Sequence, residues 1–243
     1  MTNVPIYQRT AYLRGMSFKS FVKSIPVVGP IAKALFGKKA LKNDSFPGSA
    51  NYWEERYATG GNSGSGSYTN LAEFKAEVIN NFVAENNIES VIELGCGDGN
   101  QLTLANYPSY IGLDISSTII QACRVKFVND SSKSFHVSSP SVIEATRGDL
   151  ALSLDVLFHL IEQEVFDQYL RDLFGMARKH VIIYSSNFEK EQTFHEKDRK
   201  FTEWVEQNIE GWRLIEHIPN KYPFDKENPN HTSKADFFIY TRT

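Results

Sequence analysis

The stretch Ser90-Val91-Ile92-Glu93-Leu94-Gly95-Cys96-Gly97-Asp98-Gly99-Asn100 constrains the fold most. It opens as a short apolar run and passes straight into three glycines at alternate positions. Val91, Ile92 and Leu94 read as a strand buried on both faces, as in a parallel sheet. The glycines strip the turn of side chains, so its backbone can take positive φ and lie against a ligand. Backbone N–H groups near the start of a following helix would then meet that ligand directly.

The spacing is Gly95-x-Gly97-x-Gly99, whereas nicotinamide and flavin binders use G-x-G-x-x-G, which disfavours an oxidoreductase. Acids flank the turn, with Glu93 at the strand end and Asp98 in the loop. Carboxylates there repel a pyrophosphate and welcome the ammonium and sulfonium of an amino-acid-bearing cofactor. The alternative is a glycine turn that only reverses the chain. Tyr110-Ile111-Gly112-Leu113-Asp114 reads as a second short strand ending in an acid, nineteen positions beyond Gly95. In a doubly wound sheet an acid about 20 residues past the glycines takes the ribose hydroxyls. Asp114 also suits the cap of a helix starting near Ser116, and the two roles are compatible.

Glu93-Leu94-Gly95-Cys96-Gly97-Asp98-Gly99, Gly112-Leu113-Asp114 and Asp155-Val156-Leu157-Phe158-His159-Leu160 together resemble the motifs of class I S-adenosylmethionine-dependent methyltransferases. Tyr52-Trp53-Glu54-Glu55-Arg56-Tyr57, the Gly60–Ser67 run, Tyr184-Ser185-Ser186-Asn187 and Ala235-Asp236-Phe237-Phe238 are similar to a bacterial and phage subgroup associated with polysaccharide modification. The resemblance covers about residues 47–240. It implies an α/β, doubly wound, seven-stranded sheet, mostly parallel with an antiparallel C-terminal pair. It implies S-adenosylmethionine as cofactor, held by Glu93, Gly95, Cys96, Gly97, Asp98, Gly99, Asp114, Ile115, Asp130 and Asp155.

The chain's 243 residues suffice for one α/β domain plus extra segments. A net charge of −3 gives no basic signature for nucleic acid. That charge is uneven. Residues 1–42 carry eight cationic side chains and no acid, so the remainder stands at −11. Two cysteines, Cys96 and Cys123, allow no disulfide framework and no metal knuckle, which suits a reducing, cytoplasmic setting. Ile25 to Phe36 is apolar but broken by Pro26, Pro30 and Lys33, too short to span a bilayer and a poor signal peptide. Residues 1–46 therefore read as a basic, apolar arm. It either packs on its own domain or, through residues 1–42, touches the inner face of a membrane.

Residues 47–243 read as the methyltransferase domain, with a Gly/Ser-rich segment at 47–69 that is either a lid with glycine hinges or a plain linker. Apolar residues at three- and four-residue steps predict helices over about Leu71–Asn86, Ser117–Phe127, Gln163–Arg178 and Glu196–Asn208. A short helix is expected after the glycine loop. Continuous apolar runs predict strands at 90–94, 110–114, 150–154 and 181–184, with Trp212–Ile218 and Phe237–Thr241 as the final pair. Phe135-His136-Val137 is the candidate third strand. An acid near it is expected on the adenine amino group, and both Asp130 and Asp149 qualify.

Methyl transfer to an oxygen needs a proton acceptor, and histidine titrates near neutrality. His159, just past the fourth strand, is the first candidate for that base, with His195 the second. Its alternatives are a hydrogen-bonded helix start or a wall of the cofactor pocket. Asp155 is expected to hold the cofactor's amino-acid end or the acceptor, and Asn187 the acceptor or a turn. No H-x-x-x-H or paired-carboxylate spacing predicts a metal. The expected activity is methyl transfer to an oxygen of a glycan or small molecule. The alternative is a non-catalytic protein of the same fold docked to an envelope or membrane assembly.

Overall fold

In the computed structural model, described over residues 46–243, seven strands form one sheet in the order β3-β2-β1-β4-β5-β7-β6. The strands are β1 (Val91–Leu94), β2 (Tyr110–Asp114), β3 (Lys133–Val137), β4 (Gly148–Leu154), β5 (Ala177–Ser185), β6 (Trp212–Ile218) and β7 (Asp236–Arg242). The first five run parallel; β7 lies antiparallel between β5 and β6. The helices are α1 (Ser49–Ala58), α2 (Thr69–Glu85), α3 (Ser117–Lys126), α4 (Pro140–Ala145), α5 (Gln163–Met176) and α6 (Phe201–Asn208). The basic arm read at residues 1–46, and its membrane contact, fall almost wholly outside the described residues.

Strand alternation builds both cores. Leu150, Leu152 and Leu154 of β4 join Ile182 and Tyr184 of β5 and Phe237 and Ile239 of β7 under α2. The intervening Ala151, Val181, Ile183, Phe238 and Tyr240 face α5 and α6, where Phe166, Leu170, Leu173, Phe174, Phe201 and Val205 meet them. Side chains of period two on strands meet helical stripes of period 3.6 on each face. All seven residues of β4 are buried, as the central strand of such a sheet requires. Tyr57 and Trp53 seat α1 on Ile119 and Ala122 of α3, which brings the segment before α2 over the carboxyl ends of the strands.

Three expectations need correction. The glycine loop leads into a single 3-10 turn, Gln101–Leu104, instead of a helix, because Ala105 is already extended and Pro108 follows. The Glu196–Asn208 helix begins only at Phe201. Ahead of it, Arg199 donates to the carbonyls of Leu160 and Ile161 at 2.7 and 2.9 Å, and Asp198 pairs with Lys234. These commitments hold 196–200 out of helical geometry. Val165, which the three- and four-residue apolar steps of the Gln163–Arg178 helix predict to face inward, is 43% exposed in the first turn of α5.

Candidate active site

The carboxyl ends of β1, β2 and β4 open into a cavity of about 1110 Å³. It sits where strand order reverses between β1 and β4, the usual ligand position in an open α/β sheet. Its walls include Glu93, Gly95, Cys96, Gly97, Asp114, Ile115, Asp155 and His159, all expected from sequence.

Asp114 ends β2 buried. Its Oδ2 accepts the Gly97 N–H at 2.9 Å and its Oδ1 the Ser116 N–H at 2.9 Å. Burial outweighs these bonds and pushes its carboxyl up to about 6. Ser116, and not Asp114, caps α3 by accepting from Ile119 N, while Asp114 holds the Ser116 N–H. Glu93 is buried too and is pushed up to about 7, although Tyr110 donates to it at 2.6 Å. Gly97 has φ 53°, and a Cβ there would overlap the Ser63 hydroxyl and come within 3.1 Å of the Tyr57 oxygen. The loop is therefore side-chain-free because another segment lies directly on it.

That segment is 60–67. Ser63 N donates to Asp98 Oδ2 at 2.9 Å, Tyr68 OH to the same oxygen at 2.8 Å, and Asp98 N to Ser63 Oγ at 2.8 Å. Asn100 adds a bond to Ser67 O. Asp98, 1% exposed, is thus spent on holding this cover and does not line the cavity. Gly99 packs on Phe127, away from it. Asp130 lies in the turn before β3, at the amino-terminal edge of the sheet, where it pairs with Lys133 and Ser132. Asp149, bonded to Glu89 N and Lys179, is at that same edge. Neither acid reaches the cavity; past the other end of β3 the wall is Ser138 and Ser139.

Asp155 leaves β4 with φ 59°, its N–H donated to Tyr184 O at 2.9 Å. Short polar side chains tolerate this left-handed region better than most. Its Oδ2 pairs with Lys75 Nζ at 2.6 Å, and Lys75 also lies over the Tyr184 ring. Lys75 is fully buried in the cavity wall and was not expected there. The signal existed: Leu71, Lys75 and Ile79 share one row of α2, so a lysine occupies an inward position. Gly66 crosses Asp155 so closely that a Cβ would meet its Oδ2 at 2.5 Å. Gln101 Oε1, also in the wall, is buried without a hydrogen-bond partner.

His159 sits on a 3-10 turn, Leu157–His159, its ring edge-on to Trp53 and stacked on His195. Its Nδ1 lies 3.1 Å from the His195 carbonyl, which fixes the hydrogen on Nδ1 and leaves the lone pair on Nε2. Burial lowers its pKa to about 4, so the ring is neutral at neutral pH with a lone pair free to ligate a cation, and is a weaker proton acceptor than an exposed histidine. Asn187 exchanges bonds with Thr202 and anchors the start of α6, away from the cavity.

The walls carry seven carboxylates, Glu93, Asp114, Glu144, Asp155, Glu162, Glu164 and Asp172, against Lys75, Arg147 and Arg171. Such a cavity attracts cations and repels polyanions.

No protein-family model and no curated protein matches the sequence. Solved structures do match the fold. Magnesium protoporphyrin IX methyltransferase from Synechocystis PCC 6803, with bound SAH, is 17% identical over 71% of this chain and 83% of its own, at a TM-score of 0.53. The N-methyltransferase NodS from Bradyrhizobium japonicum WM9, in complex with S-adenosyl-L-homocysteine, is 13% identical over 71% and 87%, at 0.53. The small RNA methyltransferase HEN1 is 17% identical over 72% of this chain and 26% of its own, also at 0.53. What this chain shares with these proteins is the Rossmann-like methyltransferase fold.

Proposed function

We propose that this protein is an enzyme that transfers the methyl group of S-adenosylmethionine to an oxygen of a glycan or another small molecule. The observation that carries the reading is the cavity at the switch point, bounded by the glycine loop and reaching Asp114. Its residues fit the cofactor. Asp114 has lone pairs for ribose hydroxyls. The unpartnered Gln101 oxygen, Glu93 and Asp155 suit an ammonium, while the buried Lys75 suits the adjoining carboxylate. When bound, the cofactor supplies a methyl carbon and a neutral thioether leaving group.

The cavity exceeds the 300–1,000 Å³ of a typical ligand pocket, so it has room for an acceptor beside the cofactor. Its acidic walls favour a neutral or cationic acceptor over RNA. His159 and Asp155 border the acceptor side, where the acceptor oxygen loses its proton as the carbon–oxygen bond forms.

Calorimetry with S-adenosylmethionine and its demethylated product is expected to give saturable heat, weakened at least tenfold by Asp114→Asn. No heat from either compound overturns the reading. With a labelled methyl group and a glycan extract, His159→Ala is expected to lower turnover about 100-fold, the low end for loss of proton-transfer assistance. Cofactor affinity should stay within about twofold, since the imidazole lies outside the glycine loop.

A further inference from the structure

Beside His159, which lines the cavity, stand two more ligand-type side chains. One ring nitrogen each of His159 and His195 and one carboxylate oxygen of Glu196 lie within 4.8 Å of one another. The backbone fixes this meeting. Lys197 N donates to Phe158 O at 2.8 Å, which pins the 195–197 segment to the turn that carries His159. His195 is held between two rings, 5.1 Å from Tyr52 and 5.4 Å from His159. Lys234 binds Glu196 Oε2 at 2.9 Å, which leaves Oε1 toward His195 Nε2, 3.9 Å away. The His159 Nδ1 contact with a backbone carbonyl is the outer-shell bond that metal-ligating histidines commonly make.

We propose that His159, His195 and Glu196 bind a divalent first-row transition-metal ion that holds hydroxyl groups of the acceptor next to the methyl-transfer site. Two imidazoles and one carboxylate suit manganese, iron, cobalt or zinc better than magnesium or calcium, which favour all-oxygen cages. Three protein ligands leave open positions, and two adjacent ones match a diol such as a sugar ring presents. The ion would lower the pKa of a bound hydroxyl, so that its proton passes to solvent before the oxygen attacks, and His159 would then assist deprotonation through the ion instead of accepting the proton itself. Bonds of about 2.0–2.2 Å put ligand atoms roughly 3.0–3.5 Å apart, so the three side chains, now within 4.8 Å, must close up and one imidazole must turn out of the His159–His195 stack on binding. His195 and Glu196 are half-buried behind His159, outside the core clusters, where such a shift disturbs little of the core. The role given to the acceptor rests on the transferase reading above; the binding of the ion does not.

The test is a titration of chelator-treated full-length protein with manganese(II), following the free-ion paramagnetic resonance signal, without cofactor. One ion per chain is expected, with affinity reduced at least tenfold in both His195→Ala and Glu196→Gln and unchanged in His231→Ala. Melting temperatures close to the parent's show that the variants fold. Cobalt(II) should bind the same site with a visible absorption band that Glu196→Gln shifts or abolishes. No saturable binding, or binding that survives both substitutions, overturns the proposal. Manganese that binds while calorimetry detects no S-adenosylmethionine supports the ion site and removes the transferase reading. Cofactor that binds while manganese does not leaves that reading and removes the ion.

Discussion

Glu93 and Asp114 are two buried carboxylates, one at the end of β1 and one at the end of β2. Both have raised pKa values because the interior disfavours their charge. For Glu93 the folded value of about 7 lies above its ordinary 4.5. The stabilisation linked to its proton is therefore fully present below pH 4.5 and is lost as pH rises through 7. The unliganded protein should melt at a lower temperature at pH 8 than at pH 6, and Glu93→Gln should flatten that difference. His159, depressed to about 4, works in the opposite sense until the unfolded imidazole finishes titrating at about pH 7.5, which offsets part of this difference, while Asp114, raised to about 6, adds to it. A bound sulfonium and ammonium favour ionised Glu93, so cofactor binding near pH 7 should release a proton. Calorimetry in two buffers of different ionisation enthalpy measures it; a heat independent of buffer would count against this role. At this scale the sequence was informative for Gly95, Gly97 and Asp114, where conformation or charge leaves few options. It put Asp98 on the cofactor, whereas the folded chain turns that acid to the covering segment, since an acid in a glycine loop suits a ligand and backbone donors equally well.

The cover over the glycine loop is held by one side chain more than by its own contacts. Asp98 accepts hydrogen bonds from Ser63 N, Tyr68 OH and Asn100 N. In Asp98→Asn one of these acceptor positions becomes a donor that faces donors, which leaves a polar group unsatisfied at about 1–3 kcal/mol. Amide exchange of residues 60–68 should then quicken at least tenfold while that of β4 stays unchanged; uniform quickening would mean global destabilisation instead. The helices and strands with strong periodicity, α2, α3, α5 and β4, were legible because each buries a continuous face. The stretch 196–200 was not. Its apolar spacing continues that of α6, but Arg199 and Asp198 have partners 36 or more residues away. Long-range hydrogen bonds decided its backbone, and no local pattern encodes them.

Residues 46–243 build a sheet whose carboxyl edge concentrates negative charge around a cavity, under a cover fixed to the loop it shields. A ligand that binds only the folded form stabilises it by mass action, about 2.7 kcal/mol at 100 times its dissociation constant. For a domain of this size that is roughly 5–10 °C in melting temperature. S-adenosyl-homocysteine should produce such a shift, and NADH should produce none; the reverse would sink the cofactor assignment. The places of the strands along the chain, the glycine bend and the acid ending β2 were set by short apolar runs, turn residues and their spacing, because these are local and each admits few conformations. Which acids reach the cavity was settled only by strand direction: Asp130 precedes β3, so a parallel sheet puts it at the far edge. The inward Lys75 and the meeting of His159 with His195 and Glu196 likewise came from tertiary packing, because side chains 36 and more positions apart become neighbours only when the chain folds back across the sheet.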